Sequence, residues 1–269
     1  MKESIGARGG AQPLFRRWET IEKRIRRARR VLLLLDFDGT LVGFSPKPQE
    51  VKLDAALRRL LNRLARHPRI TLVFVSGRRR ADVKRRAAVR GASYYGLHGW
   101  EARAGMRLKS GPRKQLEAAE CQLAARIEGL PGVWLEDKQA SFVMHYREAA
   151  GPAARKALAA AGSVARDFAP QLRALSGKKI WELLPAELPG KGATVKALAN
   201  GHGPGALVIY AGDDTTDESA FAALRRGGVT IHVGRAGHAG RTAATRARYR
   251  VRDPQEMAIF LERLGDLIS

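Results

Sequence analysis

Short apolar segments alternate with longer amphipathic segments over most of the chain. Residues 31–35 and 206–210 are continuous apolar runs and residues 70–75 are apolar except for Thr71, and such runs are typical of strands buried on both faces of a sheet. Between the first two runs, five leucines recur at helical spacing: Leu53, Leu57, Leu60, Leu61 and Leu64. Strands that alternate with helices in this way predict an α/β fold with a doubly wound parallel sheet.

The pattern changes from about residue 103 to about residue 187. After a short hairpin-like piece, this segment predicts two helices and four strands, over residues 112–128, 133–137, 141–146, 152–168, 172–175 and 179–184. Closely spaced strands that accompany two helices are typical of a separate α+β domain. We therefore predict a core of residues 31–102 and 188–269 and an inserted cap of residues 103–187.

The first thirty residues contain ten basic and three acidic side chains, and we predict a basic N-terminal arm or helix over residues 1–30. Residues 1–14 are aperiodic, so we expect them to be poorly ordered. Trp18, Ile21 and Ile25 recur at helical spacing within residues 16–30. That spacing favours a helix packed on the edge of the core, with its basic face in solvent.

Polar residues follow the ends of three predicted buried strands: Asp36 and Asp38, Ser76, and Asp213 and Asp214. Open α/β sheets place their ligand crevices at the carboxyl ends of strands, so we expect these side chains to meet. Two carboxylates spaced by one residue point the same way from an extended backbone and repel each other without a cation between them. The pattern predicts a hard metal ion, one carboxylate that attacks and one that moves protons.

Each of these features also has a plainer interpretation. Asp36 and Asp38 could be solvated acids before a turn, and Ser76 could cap the helix that follows it. The acids from Asp213 to Glu218 could complement the dipole at a helix N-terminus. Lys191, which follows a Pro-Gly pair, could be a solvated lysine.

The chain carries 49 Lys and Arg against 26 Asp and Glu, a net charge of +23. This excess attracts anions in general, whether phosphorylated metabolites, nucleic acid or an anionic membrane. Aromatic residues make up only 6% and no zinc-ligand spacing occurs, so a basic surface is favoured over a nucleic-acid site.

A membrane role is disfavoured as well, because the sequence has neither a run long enough to span a bilayer nor a signal-peptide region. Cys121 is the single cysteine, which favours a reducing, cytoplasmic setting. The pattern sets no oligomeric state, and a monomer is compatible with it.

Four motifs occur in a fixed order along the alternating part of the chain: Asp36-Phe37-Asp38-Gly39-Thr40, Ser76, Lys191 and Gly212-Asp213-Asp214. In an α/β chain this set resembles the haloacid dehalogenase (HAD) phosphatases. One subclass of those enzymes carries an α+β cap between its second and third motifs, where this chain has residues 103–187. The resemblance spans residues 31–267 and implies a Rossmann-like HAD core, an inserted cap and hydrolysis of a phosphate monoester.

The resemblance also implies roles for the motif residues. Asp36 would be the nucleophile that forms an aspartyl-phosphate, and Asp38 would protonate the leaving oxygen and then activate water. Mg²⁺ would be held by the Asp36 carboxylate, the Asp38 main-chain carbonyl and Asp213.

Four further motif residues would support this chemistry. Ser76 and Lys191 would bind the transferring oxygens. Asp214 and Asp217 would orient metal-bound waters and Lys191.

Within the cap, Glu136-Asp137-Lys138, His145-Tyr146-Arg147 and Gly177-Lys178 followed by Glu182 are similar to trehalose-6-phosphate phosphatases. That similarity implies recognition of sugar hydroxyls by Glu136, Lys138 and Glu182. The alternative is a cross-strand ion-pair cluster on a solvated sheet face. Arg78 and Arg147 are candidates to hold the phosphate.

Two residues depart from the pattern of that family. Trp100 follows His-Gly where a small residue is expected, which would narrow the rim of the pocket, and Leu184 occupies the expected position of an arginine before Pro185. Both bear on the substrate rather than on the reaction.

The resemblance thus implies a Mg²⁺-dependent phosphatase that releases trehalose and phosphate from trehalose 6-phosphate, with this sugar phosphate as its small-molecule partner. Another capped HAD sugar phosphatase, of the sucrose-phosphate or mannosyl-phosphoglycerate type, is the nearest alternative. A nucleic-acid-binding protein on an inert HAD scaffold is the alternative from a different class.

Overall fold

The protein is described from a computed structural model that covers residues 10–43, 50–103, 106–177, 179–203, 205–234 and 245–268. Its strands are β1 (Gln12–Pro13), β2 (Arg30–Leu35), β3 (Ile70–Val75), β4 (Ser93–Tyr95), β5 (Trp134–Asp137), β6 (Phe142–His145), β7 (Leu172–Gly177), β8 (Ile180–Pro185), β9 (Ala206–Gly212), β10 (Val229–Val233) and β11 (Tyr249–Val251). Its α-helices are α1 (Trp18–Arg27), α2 (Ala55–Arg66), α3 (Arg80–Ala87), α4 (Ser110–Ile127), α5 (Gly151–Asp167), α6 (Lys191–Gly201), α7 (Glu218–Ala223) and α8 (Pro254–Ile268).

Seven strands form one parallel sheet in the order β1-β11-β10-β9-β2-β3-β4. The inner strand β2, between β9 and β3, alternates its apolar side chains between the two faces. Leu33 packs in one buried cluster with Leu61 of α2 and Phe260 of α8. Leu34 packs in a second cluster, on the other face, with side chains of α6 and α7. The continuous apolar run is therefore explained by burial on both faces, and the predicted doubly wound sheet is confirmed.

Four strands form a second, antiparallel sheet in the order β5-β6-β8-β7. One face is apolar, with Phe142 and Leu183 packed against Leu123 of α4 and Ala161 of α5. The other face carries a mixture of polar and apolar side chains, because neighbouring residues of a strand point to opposite faces. The expected α+β segment is therefore present, while its predicted boundaries of residues 103–187 stay a prediction.

The beginning of the described chain is attached to the main sheet. Gln12 and Pro13 pair with Tyr249 and Arg250 of β11, so the expectation of poor order was wrong for this stretch; residues 1–9 lie outside the described residues. In α1, Ile21 and Ile25 are buried as predicted, and Trp18 packs edge-on against Phe260 with ring centroids 6.2 Å apart.

The hairpin-like piece predicted after residue 103 is also not found among residues 103 and 106–109, which contain no strand before α4 begins at Ser110.

An apolar cluster lies at the junction of the two sheets. Leu97, Ala140, Leu184 and Leu188 are buried together, and Trp100 packs against them. Leu184, which departs from the family pattern, is thus a junction residue. In the part of the chain that the structure describes, no helix has the length and the hydropathy needed to cross a membrane.

Candidate active site

Asp36 lies directly beyond the carboxyl end of β2 and is 5% exposed. Its backbone N–H donates to the carbonyl of Ala211 at 3.0 Å, so the end of β9 holds it in place. Lys191 lies 2.9 Å from Asp36 and 2.8 Å from Asp217 through its Nζ atom. Because Lys191 is the first residue of α6, its charge opposes the helix dipole, and these two carboxylates offset that cost. Lys191 is therefore a buried ion-pair partner and not the solvated lysine of the plainer interpretation.

The Asp217 carboxylate accepts four hydrogen bonds. One carboxylate oxygen accepts from Lys191 and from the Tyr210 hydroxyl, and the other accepts from the backbone N–H groups of Asp213 at 3.1 Å and Asp214 at 3.0 Å. A Cβ atom on Gly212 would lie 2.3 Å from the Asp217 carboxyl carbon, so only glycine allows this approach. The acidic loop is thus folded around Asp217, which agrees with its predicted role of orienting Lys191.

A candidate metal centre lies between β2 and β9. Carboxylate oxygens of Asp36, Asp213 and Asp217 lie within 4.8 Å of one another. The Thr40 hydroxyl is 3.5 Å from an oxygen of Asp36 and 3.5 Å from an oxygen of Asp213. Both oxygens of Asp217 already accept two hydrogen bonds, so Asp36 and Asp213 are the better ligands for a cation.

Electrostatics agree with a cation at this point. Burial raises the pKa of the Asp36 carboxyl well above its ordinary value, and Lys191 only partly offsets this because Asp217 and Asp213 act with burial. A divalent ion among these oxygens would favour the ionised carboxylates. The all-oxygen donor set therefore fits Mg²⁺.

Asp38 is held by Arg78 in the wall of the cavity that contains Asp36. The Arg78 guanidinium donates to the two oxygens of Asp38 at 2.6 and 2.7 Å, and a third nitrogen donates to Asp82 at 2.9 Å. Arg78 was predicted to hold the phosphate, and here its planar fork is directed to the Asp38 carboxylate instead.

Ser76 lies at the carboxyl end of β3 and is 1% exposed. Its hydroxyl accepts from the backbone N–H of Arg78 at 3.1 Å. The helix that follows begins at Arg80, with Arg79 as its N-cap residue and no side-chain cap. Ser76 therefore does not cap α3, as the plainer interpretation proposed, and its side chain lines the cavity with Asp36 and Asp38.

The cap trio, Glu136, Lys138 and Glu182, faces the core. Glu136 and Glu182 are both paired across their strands with Val143, which places their side chains on the same face of the cap sheet. The Lys138 ammonium lies 3.8 Å from Glu182 and donates to the carbonyl of Gly77, in the core, at 3.2 Å. The trio thus lies above the ends of β2 and β3.

Glu182 is only 2% exposed and is held by partners from both parts of the molecule. Ser141 of the cap donates to it at 2.6 Å, and His98 of the core lies 2.8 Å away through Nε2. Burial opposes ionisation, but Lys138 and His98 hold the pKa of Glu182 well below its ordinary value. Glu182 therefore stays a carboxylate inside the cavity.

Three residues of the site were missed from the sequence as functional groups: Thr40, His98 and Tyr210. His98 reaches Glu182 from a turn whose backbone is left-handed at His98 itself (φ 58°), which is uncommon outside glycine. His98 lies in the His-Gly motif noted in the sequence, so the motif marked the position without indicating its partner.

One cavity of about 410 Å³ connects these groups. Its lining includes all the predicted site residues except Asp217: Asp36, Asp38, Ser76, Arg78, Glu136, Lys138, Arg147, Glu182, Lys191, Asp213 and Asp214. Trp100 lines a separate cavity, so it does not narrow this one as expected. The floor of the cavity carries buried carboxylates and Lys191, and its wall carries the cap trio. Such a cavity can bind a polar, anionic ligand.

Comparison with known proteins agrees with these features. A family model described as trehalose-phosphatase matches residues 34–255. The trehalose-phosphate phosphatase of Mycobacterium avium is 35% identical over 258 residues, which cover 90% of this chain and 63% of that protein. An uncharacterised glycosyl hydrolase of Mycobacterium tuberculosis is 33% identical over 260 residues, which cover 90% of this chain and 19% of that protein. The chain thus spans less than two thirds of these relatives.

Among solved structures, the C-terminal domain of Candida albicans trehalose-6-phosphate phosphatase superposes with a TM-score of 0.82 at 21% identity. The match covers 96% of this chain and 99% of that one. The predicted fold class, a doubly wound parallel core with a smaller α+β cap, is therefore confirmed.

Proposed function

The chain belongs to the trehalose-phosphatase family, and from this membership we propose that it hydrolyses trehalose 6-phosphate to trehalose and phosphate. The observation that carries the proposal is a single cavity in which a buried carboxylate–lysine cluster faces Glu136, Lys138 and Glu182. The first set suits a phosphoryl group, and the second suits sugar hydroxyls.

The reaction proceeds in two steps. In the first, a carboxylate oxygen of Asp36 attacks phosphorus, the bond from phosphorus to the sugar oxygen breaks, and Asp38 gives that oxygen its proton. In the second, Asp38 takes a proton from water, the water oxygen attacks phosphorus, and Asp36 is released as a carboxylate. Arg78 acts on the same steps as a positioning residue, because it holds both oxygens of the Asp38 carboxylate in the cavity wall. One of these two hydrogen bonds has to open before that oxygen of Asp38 can carry the proton.

Ser76 and Lys191 bind the transferring phosphoryl oxygens. Lys191 can do so without leaving its place, since Asp217 holds its ammonium beside Asp36. Fixed donors of this kind stabilise the charge that develops on the phosphoryl group and need little reorganisation. Asp214 and Asp217 orient the loop and the lysine.

Mg²⁺ is the proposed cofactor, held by the Asp36 carboxylate, the Asp38 main-chain carbonyl and Asp213. When bound, it neutralises charge between the nucleophile and the phosphate dianion. The raised pKa of Asp36 supports this assignment, because Lys191 alone does not offset the burial and the neighbouring carboxylates of Asp217 and Asp213, which disfavour the ionised form.

The cap selects the substrate. Glu136, Lys138 and Glu182 accept from and donate to hydroxyls of the sugar, and Arg147 contributes positive charge to the same cavity. We propose that residues 103–187 move as a unit about the linkers near Glu101 and residues 185–190 to admit substrate and exclude water. A cytoplasmic setting, suggested by the single cysteine, is part of the same proposal.

Two experiments test the proposed function. Turnover is measured on trehalose 6-phosphate, sucrose 6-phosphate, mannosyl-phosphoglycerate and glucose 6-phosphate, each with Mg²⁺ and with a chelator. We expect trehalose 6-phosphate to be preferred and the chelator to abolish turnover. Hydrolysis of sucrose 6-phosphate without hydrolysis of trehalose 6-phosphate would contradict the substrate. Salt-dependent binding of duplex DNA by a protein with no phosphatase activity would favour the nucleic-acid alternative.

A further inference from the structure

Trp134 lies at the corner of the cap sheet and has no part in the chemistry described so far. It begins β5, lines the same cavity as Asp36 and is 47% exposed. Among the described residues, it is the most exposed of the large hydrophobic side chains. An exposed aromatic ring in the wall of a polar cavity is a candidate ligand contact, since aromatic rings bury large apolar areas when they are covered.

The ring of Trp134 is held in a fixed orientation. Trp134 is paired across the strands with His145, and the two rings stack with centroids 3.8 Å apart and planes at 8°. His145 is itself fixed by Glu136, whose carboxylate lies 2.8 Å from Nε2. His145 therefore covers one face of the indole ring. The opposite face stays uncovered, and its orientation is fixed by the contacts from Glu136 to His145 and from His145 to Trp134.

The position of Trp134 along β5 relates it to the phosphate. Lys138, just beyond the strand, contacts the Gly77 carbonyl beside Ser76, and Glu136 and Trp134 follow on the same face at intervals of two residues. A strand rises about 3.3 Å per residue, so Trp134 lies roughly 13 Å along the strand from Lys138. A single pyranose ring attached to the phosphate would reach Glu136, and a second ring is needed to reach the indole.

The other end of the same cross-strand row is closed by the core. Trp134, His145, Ile180 and Gly177 are in register across the four strands. A Cβ atom on Gly177 would lie 2.8 Å from a carboxylate oxygen of Asp214, so this end abuts the acidic loop. The Trp134 end is therefore the open corner of the row, where the remote part of a long substrate can lie.

We infer that Trp134 is the stacking platform for the sugar ring remote from the phosphate and thereby selects disaccharide phosphates over monosaccharide phosphates. The inference rests on the proposed function and adds a specificity-determining residue to it. The axial C–H groups of a pyranose carry a small positive charge and pack on the electron-rich face of an indole, while the ring hydroxyls stay available to Glu136. The contact adds binding energy only for a substrate with a second ring.

Steady-state kinetics of Trp134→Ala test the inference. We expect kcat/KM for trehalose 6-phosphate to fall about tenfold, mainly through KM, and kcat/KM for glucose 6-phosphate to change less than about twofold. Trp134→Phe keeps a flat ring and is expected to lose about threefold or less. Leu158→Ala, a truncation of an exposed apolar residue on α5 outside the cavity (39% exposed), is the matched control and should leave both values unchanged.

Product inhibition gives a second measurement that does not need turnover of glucose 6-phosphate. Trp134→Ala should raise the inhibition constant of trehalose about tenfold and leave that of inorganic phosphate unchanged. If Trp134→Ala left the ratio of kcat/KM for trehalose 6-phosphate to kcat/KM for glucose 6-phosphate unchanged, the inference would be overturned and the proposed function would stay intact. A wild-type protein that does not hydrolyse trehalose 6-phosphate would instead refute the proposed function; the same ratio is then measured with the disaccharide phosphate that it does hydrolyse.

Discussion

The core side and the cap side of the cavity both use carboxylates and a lysine, but these side chains are buried to different degrees. In the strand-end cluster of Asp36, Lys191, Asp213 and Asp217, every charged side chain is buried. In the cap trio only Glu182 is buried to that degree, whereas the side chain of Glu136 is 44% exposed. The cluster is assembled from strand ends and a helix start, and the trio from one face of a small sheet.

This difference predicts a division of roles. Buried charges are interdependent, because removal of one leaves its partner desolvated without compensation. Changes in the strand-end cluster should therefore affect the chemistry, and they should lower stability when the lysine is removed but not when the Asp36 carboxylate is neutralised. Changes on the cap face should affect the choice of substrate and leave the reaction itself in place.

The largest effect is expected for Asp36→Asn, which should lower kcat at least about 10³-fold, because an amide is not a nucleophile. The stability of Asp36→Asn, in contrast to its activity, should not fall. The pKa of the folded Asp36 carboxyl is raised, so ionised Asp36 costs stability at neutral pH, and Asn removes that cost. Urea unfolding in a chelator should show a variant no less stable than wild type.

Asp266→Asn, on the exposed surface of α8, serves as the control for Asp36→Asn. Full Mg²⁺-dependent activity in Asp36→Asn would show that another group attacks phosphorus.

Glu182→Gln tests the cap side of the comparison. It keeps the shape of the side chain but removes the charge that faces Lys138 and His98. We expect kcat/KM for trehalose 6-phosphate to fall about 100-fold, since a buried polar contact to the sugar is mismatched. Hydrolysis of p-nitrophenyl phosphate, which has no sugar, should stay within about threefold of wild type.

Glu117→Gln, at an exposed position of α4, is the matched control for Glu182→Gln and should change neither substrate. A parallel loss on both substrates in Glu182→Gln would mean that Glu182 supports the reaction and not the choice of sugar.

Lys191→Met should reduce the free energy of unfolding by about 3 kcal/mol, because the buried carboxylates of Asp36 and Asp217 then face each other without a counter-charge. Urea unfolding at neutral pH measures the effect. Lys196→Met, on the exposed side of the same helix, should change the free energy by less than about 0.5 kcal/mol. Equal stability of the two variants would refute the structural part played by the buried lysine.

The smallest effect is expected for Asp82→Asn at the rim of the cavity. Burial opposes the shift, but hydrogen bonds from Arg86, Arg78 and Arg85 lower the pKa of Asp82 from 3.8 to about 2. A lowered pKa in the folded state gives stability that is present above about pH 4 and is lost as pH falls through 2. Because Asp82 is partly exposed, we expect about 1 kcal/mol at neutral pH.

Urea unfolding of wild type and Asp82→Asn from pH 7 to pH 2 measures this difference, which should shrink towards pH 2. A difference that is constant with pH would mean that the charge of Asp82 is not its source.

Much of the core site was predictable because its residues follow apolar runs. Asp36, Ser76 and Asp213 each end a buried strand, and a parallel sheet brings such ends to one edge whatever the rest of the chain does. The register of β2 with β9 then places Asp36 beside the loop that begins at Asp213. Strand period and chain order are local properties, so a sequence displays them.

The missed residues have no such local signature. Tyr210 lies in the apolar run of β9, and its hydroxyl donates a hydrogen bond to Asp217 only because the acidic loop folds back on β9. His98 is paired with Glu182, which is 84 positions away along the chain. Arg78 was predicted as a phosphate ligand, but its partner had no local signature either: only the packing of the loop after β3 against the end of β2 directs it to Asp38.

The sequence by itself determined the order of strands and helices and the presence of the cap, because these follow from periodicities of two and 3.6 residues. It also determined which acids and which hydroxyl lie at the strand ends, and that Glu136 and Lys138 are two residues apart. The tertiary structure alone decided which charges pair: Arg78 with Asp38, Lys191 with Asp36 and Asp217, and His98 with Glu182. It also decided that Trp134 stands exposed at the open corner of the cavity. Pairing depends on distances between segments remote in sequence, and those distances exist only once both sheets have packed.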